Sequence, residues 1–318
     1  MKRTNRDLTD VTVLGIFVAD TTYIANRMPK IGETLMGSSF NLGPGGKGSN
    51  QAVAASKSGA KTRFITKMGD DTFSRMGLDI WKSSHVIPEI EFSKTKATGA
   101  ACIFLDESSG ENAIIVCPGA AEDISSDFIS QKEDIISNSK VFITQLEQPV
   151  DAAITALTLA KKHKVLTILN PAPAPKIPLP EKLYQLCDFI TPNETEAEHL
   201  TGIRVDSEAS AKVAAKRLEA MGVKNIAITL GNKGAYFHNS VISKIIPAFK
   251  VAKVLETTGA GDAFNGSLAA ALSRGETYLD SVIIGCATAS ISVTRYGTSE
   301  AMPSLEDVQR LIERRIIN

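Results

Sequence analysis

The sequence predicts an α/β protein built on a mainly parallel sheet, and three observations carry that prediction. Short apolar runs of strand length alternate with helix-period segments along most of the 318 residues, the pattern of helices packed on a sheet. The last third reads as helix after helix. Two stretches, 22–42 and 98–116, instead hold strand-like segments with no helix between them. Within an α/β protein such stretches form a small β-layer beside the main sheet, a lid able to close over a ligand and exclude water.

The elements follow in order. Val11 to Val18 reads as a buried first strand. Gly48 to Gly59 reads as a helix of small residues closed by glycine, followed by a strand from Thr62 to Lys67. Val141 to Gln145, Val165 to Leu169, Phe189 to Thr191 and Asn225 to Leu230 read as further core strands. Helices at Asp151 to Lys162 and Ser207 to Met221 separate them. The closing helices are Gly261 to Arg274, Leu279 to Thr294 and Leu305 to Ile316. The prolines from Pro171 to Pro175 predict a rigid surface turn after a strand. With no linker-like stretch or repeat, one domain spanning 1–318 is expected.

Composition narrows the function classes. Lys and Arg total 35 and so do Asp and Glu, so there is no basic footprint for nucleic acid. The cysteines, Cys102, Cys117, Cys187 and Cys286, include no Cys-x-x-Cys pair, which favours a reducing compartment over a disulfide framework or zinc site. No apolar run approaches the roughly 20 residues of a membrane helix. Met1 to Arg6 is polar and unlike a signal peptide. A cytoplasmic protein with small-molecule ligands is expected, with neither nucleic acid nor membrane as partner.

Four glycine or helix-start segments could carry chemistry, each beside a plainer reading. Gly43-Pro44-Gly45-Gly46-Lys47-Gly48 matches a dinucleotide pattern in form. It begins about 25 residues after Val18, however, where that fingerprint should follow the first strand directly. Gly48 after Lys47 also rules out a Walker phosphate loop. The segment is either a tight turn before a helix or a turn that sets Lys47 and Asn50 against a polyhydroxylated ligand.

Thr257-Thr258-Gly259-Ala260-Gly261-Asp262 opens a helix, where free N–H groups make a natural anion site. Asp262 is either an N-cap or a base standing beside that site. Asn193 or Thr195, with Glu196, is either an ordinary helix start or an organiser of Mg²⁺-bound phosphates through water. Thr229 to Gly234 is a strand-end turn, alone indistinguishable from a hairpin.

In their joint order these segments resemble the ribokinases, within the PfkB family of carbohydrate kinases. The resemblance runs from about Val11 to Pro303. It is carried by Ala19-Asp20, Gly32-Glu33-Thr34, Gly45 to Ala52, Gln145-Leu146-Glu147, Asn170 to Ala174, Thr191 to Glu196, Thr229-Leu230-Gly231, Thr258 to Asp262 and Val293-Thr294-Arg295. It implies a ribokinase-like fold, a doubly wound sheet with helices on both faces and a β-sheet lid that pairs two subunits into a homodimer. It implies phosphoryl transfer from ATP to a primary sugar hydroxyl, D-ribose to D-ribose 5-phosphate. In that scheme Asp262 is the base, with Gly259, Ala260 and Gly261 supplying N–H groups. Asp20, Gly46, Lys47, Asn50 and Glu147 bind sugar, while Asn193, Glu196, Thr229, Gly231 and Gly234 bind nucleotide. Glu196 holds Mg²⁺ through water, and Glu256, Thr258 and Gly297 hold a monovalent cation, K⁺.

Three positions depart from the family pattern. Val18 stands where ribokinases place an asparagine that bonds a sugar hydroxyl, and deoxyribose-using relatives are apolar there. 2-Deoxyribose or another sugar is therefore the alternative substrate, and a silent sugar- or nucleotide-binding regulator the alternative of another class. Glu256 replaces a usual aspartate by the cation, and Cys286 replaces a residue that often packs beside adenine.

Overall fold

In the computed structural model, which describes residues 8–109 and 111–317, the described strands form two separate sheets. In chain order the first strands are β1 (Thr9–Leu14), β2 (Val18–Ala25), β3 (Ser39–Gly45), β4 (Thr62–Gly69), β5 (Ile87–Ser93), β6 (Thr98–Asp106) and β7 (Asn112–Gly119). They are followed by β8 (Ser139–Thr144), β9 (Leu166–Leu169), β10 (Phe189–Ile190), β11 (Asn225–Thr229), β12 (Ala235–His238) and β13 (Ser243–Ile246). The larger sheet has the order β13-β12-β11-β10-β9-β8-β1-β4-β5, the smaller β3-β2-β6-β7.

Pairing from β11 across to β5 is parallel throughout, and β12 with β13 adds an antiparallel hairpin at one edge. Successive side chains of a strand point to opposite faces. Leu14, Phe142, Leu169 and Ile190 accordingly enter one core, while Val13, Ile143, Ile168 and Phe189 enter the other. Helices Val150–Lys162 and Glu208–Ala220 cover the first face through Ala152, Ala156, Ala211 and Leu218. Lys47–Lys57, Ala260–Arg274 and Tyr278–Ser292 cover the second. The expected doubly wound sheet is present.

The chain runs from β1 outward to β4 and β5, then returns to the other side of β1 for β8 to β11. Ligand crevices of such sheets open at this reversal, beyond the carboxyl ends of the strands. Gln145 and Glu147 follow β8, Asn170 follows β9, Asn193 follows β10, and Gly231 follows β11.

The first strand is corrected. β1 stops at Leu14, Gly15-Ile16-Phe17 crosses over, and Val18 opens β2 of the smaller sheet. An apolar run records burial and not direction: Ile16 and Phe17 are as buried as β1 itself, so the pattern hides the bend. The lid strands therefore are Val18–Ala25 and Ser39–Gly45, then Thr98–Asp106 and Asn112–Gly119, and residues 26–38 lie outside them. The edge strand β5 and the β12–β13 hairpin went unpredicted. The proline turn is partly drawn inward, with Ala172 buried and its carbonyl accepting the Leu146 N–H at 2.9 Å.

Most helices lie within a residue or two of expectation; Asp151 to Lys162, for example, is Val150–Lys162. The four cysteines form no disulfide, with Cys102 and Cys117 exposed and Cys187 and Cys286 buried. Among the described residues no helix is long and apolar enough to cross a membrane. The reading of Met1 to Arg6 lies outside the described residues.

Candidate active site

The glycine turn after β3 closes against the β1–β2 crossover. Gly46 has φ 89°, and a Cβ there would meet the Ile16 carbonyl oxygen at 2.5 Å. Only glycine fits both conditions. Helix Lys47–Lys57 starts at once and has no cap from its own side chains. Its Lys47 N–H instead donates to Glu147 Oε2 at 2.8 Å, a carboxylate brought from the end of β8. An anion suits the positive end of a helix.

Helix Ala260–Arg274 starts from Gly259, which has φ 78° and serves as the N-cap. Asp262 is thus not the cap. It sits in the first turn, buried, and its carboxylate points across to helix Lys47–Lys57. There Asn50 Nδ2 donates to Oδ2 and Gln51 Nε2 donates to Oδ1, each at 3.0 Å. The two helices approach this closely because small residues line their contact: a Cβ on Gly266 would lie 2.5 Å from Ala54 Cβ. The carboxylate's needs are met across the helix pair. By helix geometry the N–H groups of the Gly261–Asp262 turn have no intrahelical acceptor and stay available to an anion.

Lys47 joins the charged groups. Burial opposes its charge, but Asp262, Glu147, Glu196 and Asp20 together raise its pKa. Burial first, and neighbouring Asp262 next, pushes Asp20 up to about 6. Burial pushes Glu147 up to about 7 against the pull of Lys47. Burial also raises Asp262 and Glu196, with Lys47 opposing in both. Several acids thus share one half-buried ammonium, an arrangement that favours a ligand bringing hydrogen-bond donors.

Two cavities flank the Thr257–Gly261 turn. One, of about 400 Å³, is lined by Asn193, Thr229, Gly231, Gly234, Ala260 and Gly261, and Phe249 and Cys286 give it an apolar wall. The other, of about 280 Å³, lies under the lid and takes in Asp20, Glu256, Thr258 and Gly297. There Gly297 N–H donates to Glu256 Oε2 at 2.9 Å.

Asn193 and Glu196 form a reciprocal capping box: Asn193 N–H donates to Glu196 Oε2 at 2.9 Å and Glu196 N–H to Asn193 Oδ1 at 2.8 Å. Asn193 is therefore the cap of this helix. Thr229 to Gly234 is the β11–β12 hairpin turn, and it also lines the larger cavity.

Val18 is buried in the core with Ile16, Ile65 and Ala101, and its Cγ1 fills the space a Cβ of Gly99 would need. Sequence reading missed other members. Tyr296, Glu300 and Asn112 line the lid cavity. Behind Asp262, Gln51, Gln145 and Ser299 are buried. The available signal was a pair of amide side chains, Asn50-Gln51, in a helix otherwise made of small residues on its packed side.

Comparison with known proteins agrees with this geometry. The model of the pfkB family of carbohydrate kinases matches residues 8–305. A ribokinase of Haemophilus influenzae is 38% identical over 311 residues, covering 95% of this chain and 98% of its own. A deoxyribokinase of Salmonella typhimurium is 36% identical over 300 residues, covering 93% and 96%. The structure of Arabidopsis thaliana ribokinase complexed with ribose and ATP is similar at TM-score 0.87 and 28% identity, covering 96% of this chain and 99% of that one. With a doubly wound sheet, a small separate sheet and two cavities flanking a glycine-rich helix start, the chain belongs to the pfkB family of carbohydrate kinases.

Proposed function

We propose that this chain is an ATP-dependent ribokinase, which transfers the γ-phosphoryl group of ATP to the primary hydroxyl of D-ribose and yields D-ribose 5-phosphate. The observation that carries the reading is the buried Asp262 carboxylate, interacting with the Lys47 charge and directly following the turn that the two cavities flank. Likeness to the ribose- and ATP-bound Arabidopsis ribokinase supports the pair of ligands.

Sugar enters the lid cavity, with Asp20, Asn50, Glu147 and the Gly46–Lys47 turn toward its hydroxyls. ATP enters the larger cavity along Thr229, Gly231 and Gly234, its phosphates toward the start of helix Ala260–Arg274. Asp262 accepts the hydroxyl proton as that oxygen bonds to the γ-phosphorus, and the bond from phosphorus to the bridging oxygen breaks to release ADP. N–H groups from Gly259 to Asp262 face the charge that develops, each contributing about 3 kcal/mol.

Mg²⁺ fits the donors present. Among the described residues no three His, Cys, Asp or Glu gather as a cage, and Mg²⁺ keeps water and few protein ligands. Glu196, beside Asn193, would hold it through water, where it supplies neutralisation of phosphate charge. K⁺ is assigned to Glu256, Thr258 and Gly297.

A homodimer through the lid has its own support. Strand alternation turns Asp20, Thr22 and Ile103 toward the cavity, and puts Tyr23, Phe40 and Ile115 on the other face, all exposed. An apolar face of that kind suits an isologous contact.

The deciding experiment is ATP consumption with ribose, 2-deoxyribose and fructose, each with and without K⁺. Sugar-independent or absent turnover would sink the kinase reading and favour the silent binder. A kcat/KM higher for 2-deoxyribose would replace ribose as substrate. That second reading rests on Val18, whose side chain offers the sugar no hydrogen bond.

A further inference from the structure

We infer that Gln51 is a positioning residue, the middle link of a buried amide relay from Gln145 that aims a fixed donor at Asp262. The inference rests on Asp262 acting as the base.

The direction of each link follows from its neighbours. Gln51 Nε2 donates to Asp262 Oδ1 and to Asn170 Oδ1, both at 3.0 Å. Asn170 cannot turn its own amide nitrogen toward Gln51, because that nitrogen is committed to the Thr191 carbonyl at 3.0 Å. Gln145 Nε2 in turn donates to Gln51 Oε1 at 2.5 Å. With Gln51 reversed, oxygen would face Asp262 and Asn170, and nitrogen would face the nitrogen of Gln145. An amide has two donors and one acceptor group, and all are assigned here without a conflict.

Burial gives the relay its force. Gln51 and Gln145 are both 0% exposed, so no bulk water can replace a lost link. Gln145 holds its place although its Oε1, packed over Gly15, has no hydrogen-bond partner among the described groups. Turning the amide to satisfy that oxygen elsewhere would cost the donation to Gln51. The other carboxylate oxygen is held by Asn50, whose carbonyl oxygen accepts from Ser299 Oγ at 2.7 Å. Asn50 is tied to Ser299 as well as to Asp262, whereas the Gln51 amide has only Asp262, Asn170 and Gln145 as partners. Gln51 thus acts through Asp262 alone.

The test uses full-length Gln51→Met, Gln145→Met, the double variant and Asp262→Asn, with kcat and KM measured across pH. A donor to a carboxylate favours its charged form, so removing it raises the base's pKa. Gln51→Met should lose about 10-fold or more in kcat near neutral pH, with KM for ATP changed less than about 3-fold, and its acid limb should move to higher pH by about one unit. Gln145→Met should move the limb the same way by less. In the double variant the Gln145 change should add nothing further, since its only route is through Gln51.

An acid limb that stays in place in folded Gln51→Met, or losses that simply add, would overturn the relay. Should Gln51→Met not fold, Gln145→Met decides, because it leaves both partners of Asp262 in place. Near-normal turnover in Asp262→Asn defeats the base assignment itself. Lost turnover there, with an unmoved limb in Gln51→Met, defeats only the relay.

Discussion

Asn50 and Asp262, 212 positions apart, meet at 3.0 Å inside the contact between two helices that both begin at glycine turns. One helix starts at the Gly46 turn and the other at the Gly259 turn, and this hydrogen bond ties the two starts together. Neither helix makes the site alone. Their close approach depends on small residues, and the catalytic reading of Asp262 depends on that approach.

Asp262→Asn should lower turnover by about 10²–10⁴-fold, the usual contribution of a positioned base. Burial raises the pKa of Asp262 in the folded chain, so removing its charge should leave the melting temperature unchanged or higher. Steady-state kinetics and thermal unfolding on the same sample check both halves.

Stability of the ligand-free protein should fall as pH rises from about 4 to about 7. Asp20 is raised from 3.8 to about 6 and Glu147 from 4.5 to about 7. Across that window the folded state binds more protons than the unfolded one, so raising pH removes stability. A tenfold change in a group's proton affinity on folding corresponds to about 1.4 kcal/mol, before mutual coupling through Lys47. Carboxylates held low, such as Asp188 beside Lys161, act below this window. Melting curves across pH should slope downward, and Asp20→Asn with Glu147→Gln should flatten them.

Val18→Asn should raise the kcat/KM ratio of ribose over 2-deoxyribose by about 10-fold, through one added hydrogen bond to substrate. It should also destabilise the free protein by about 1–3 kcal/mol, because an amide would enter the core beside Ile16 and Ile65. An unchanged ratio would mean that Val18 has no voice in sugar choice.

Gly266→Ala should cost about 1–3 kcal/mol of stability and reduce kcat. The new methyl would meet backbone atoms of Gln51 and Ala55 as well as Ala54 Cβ, and none of these is the far end of a flexible side chain. Separating the helices lengthens the Asn50 and Gln51 bonds to Asp262. Lost stability with kcat intact would show that the spacing tolerates the change.

Much of this protein is legible in the residues. Apolar runs and period-3.6 patterns identify the parallel strands other than β5 and most helices, since burial on one or both faces leaves a local signature. The ordered motifs carry the family resemblance, and through it they single out Asp20, Lys47, Asp262 and the turn from Thr229 to Gly234. Three matters needed the tertiary structure. The break after Leu14 was hidden because Ile16 and Phe17 remain buried through it. Asp262 as cap or base was undecided because both use the same helix start, and only the helix across the contact shows which partners the carboxylate takes. The amide relay was invisible because Gln51, Gln145 and Asn170 come from different elements. Local sequence determines which way a segment faces and how it is capped; which atoms it meets depends on packing among distant elements, and Asp262 takes its partners from there.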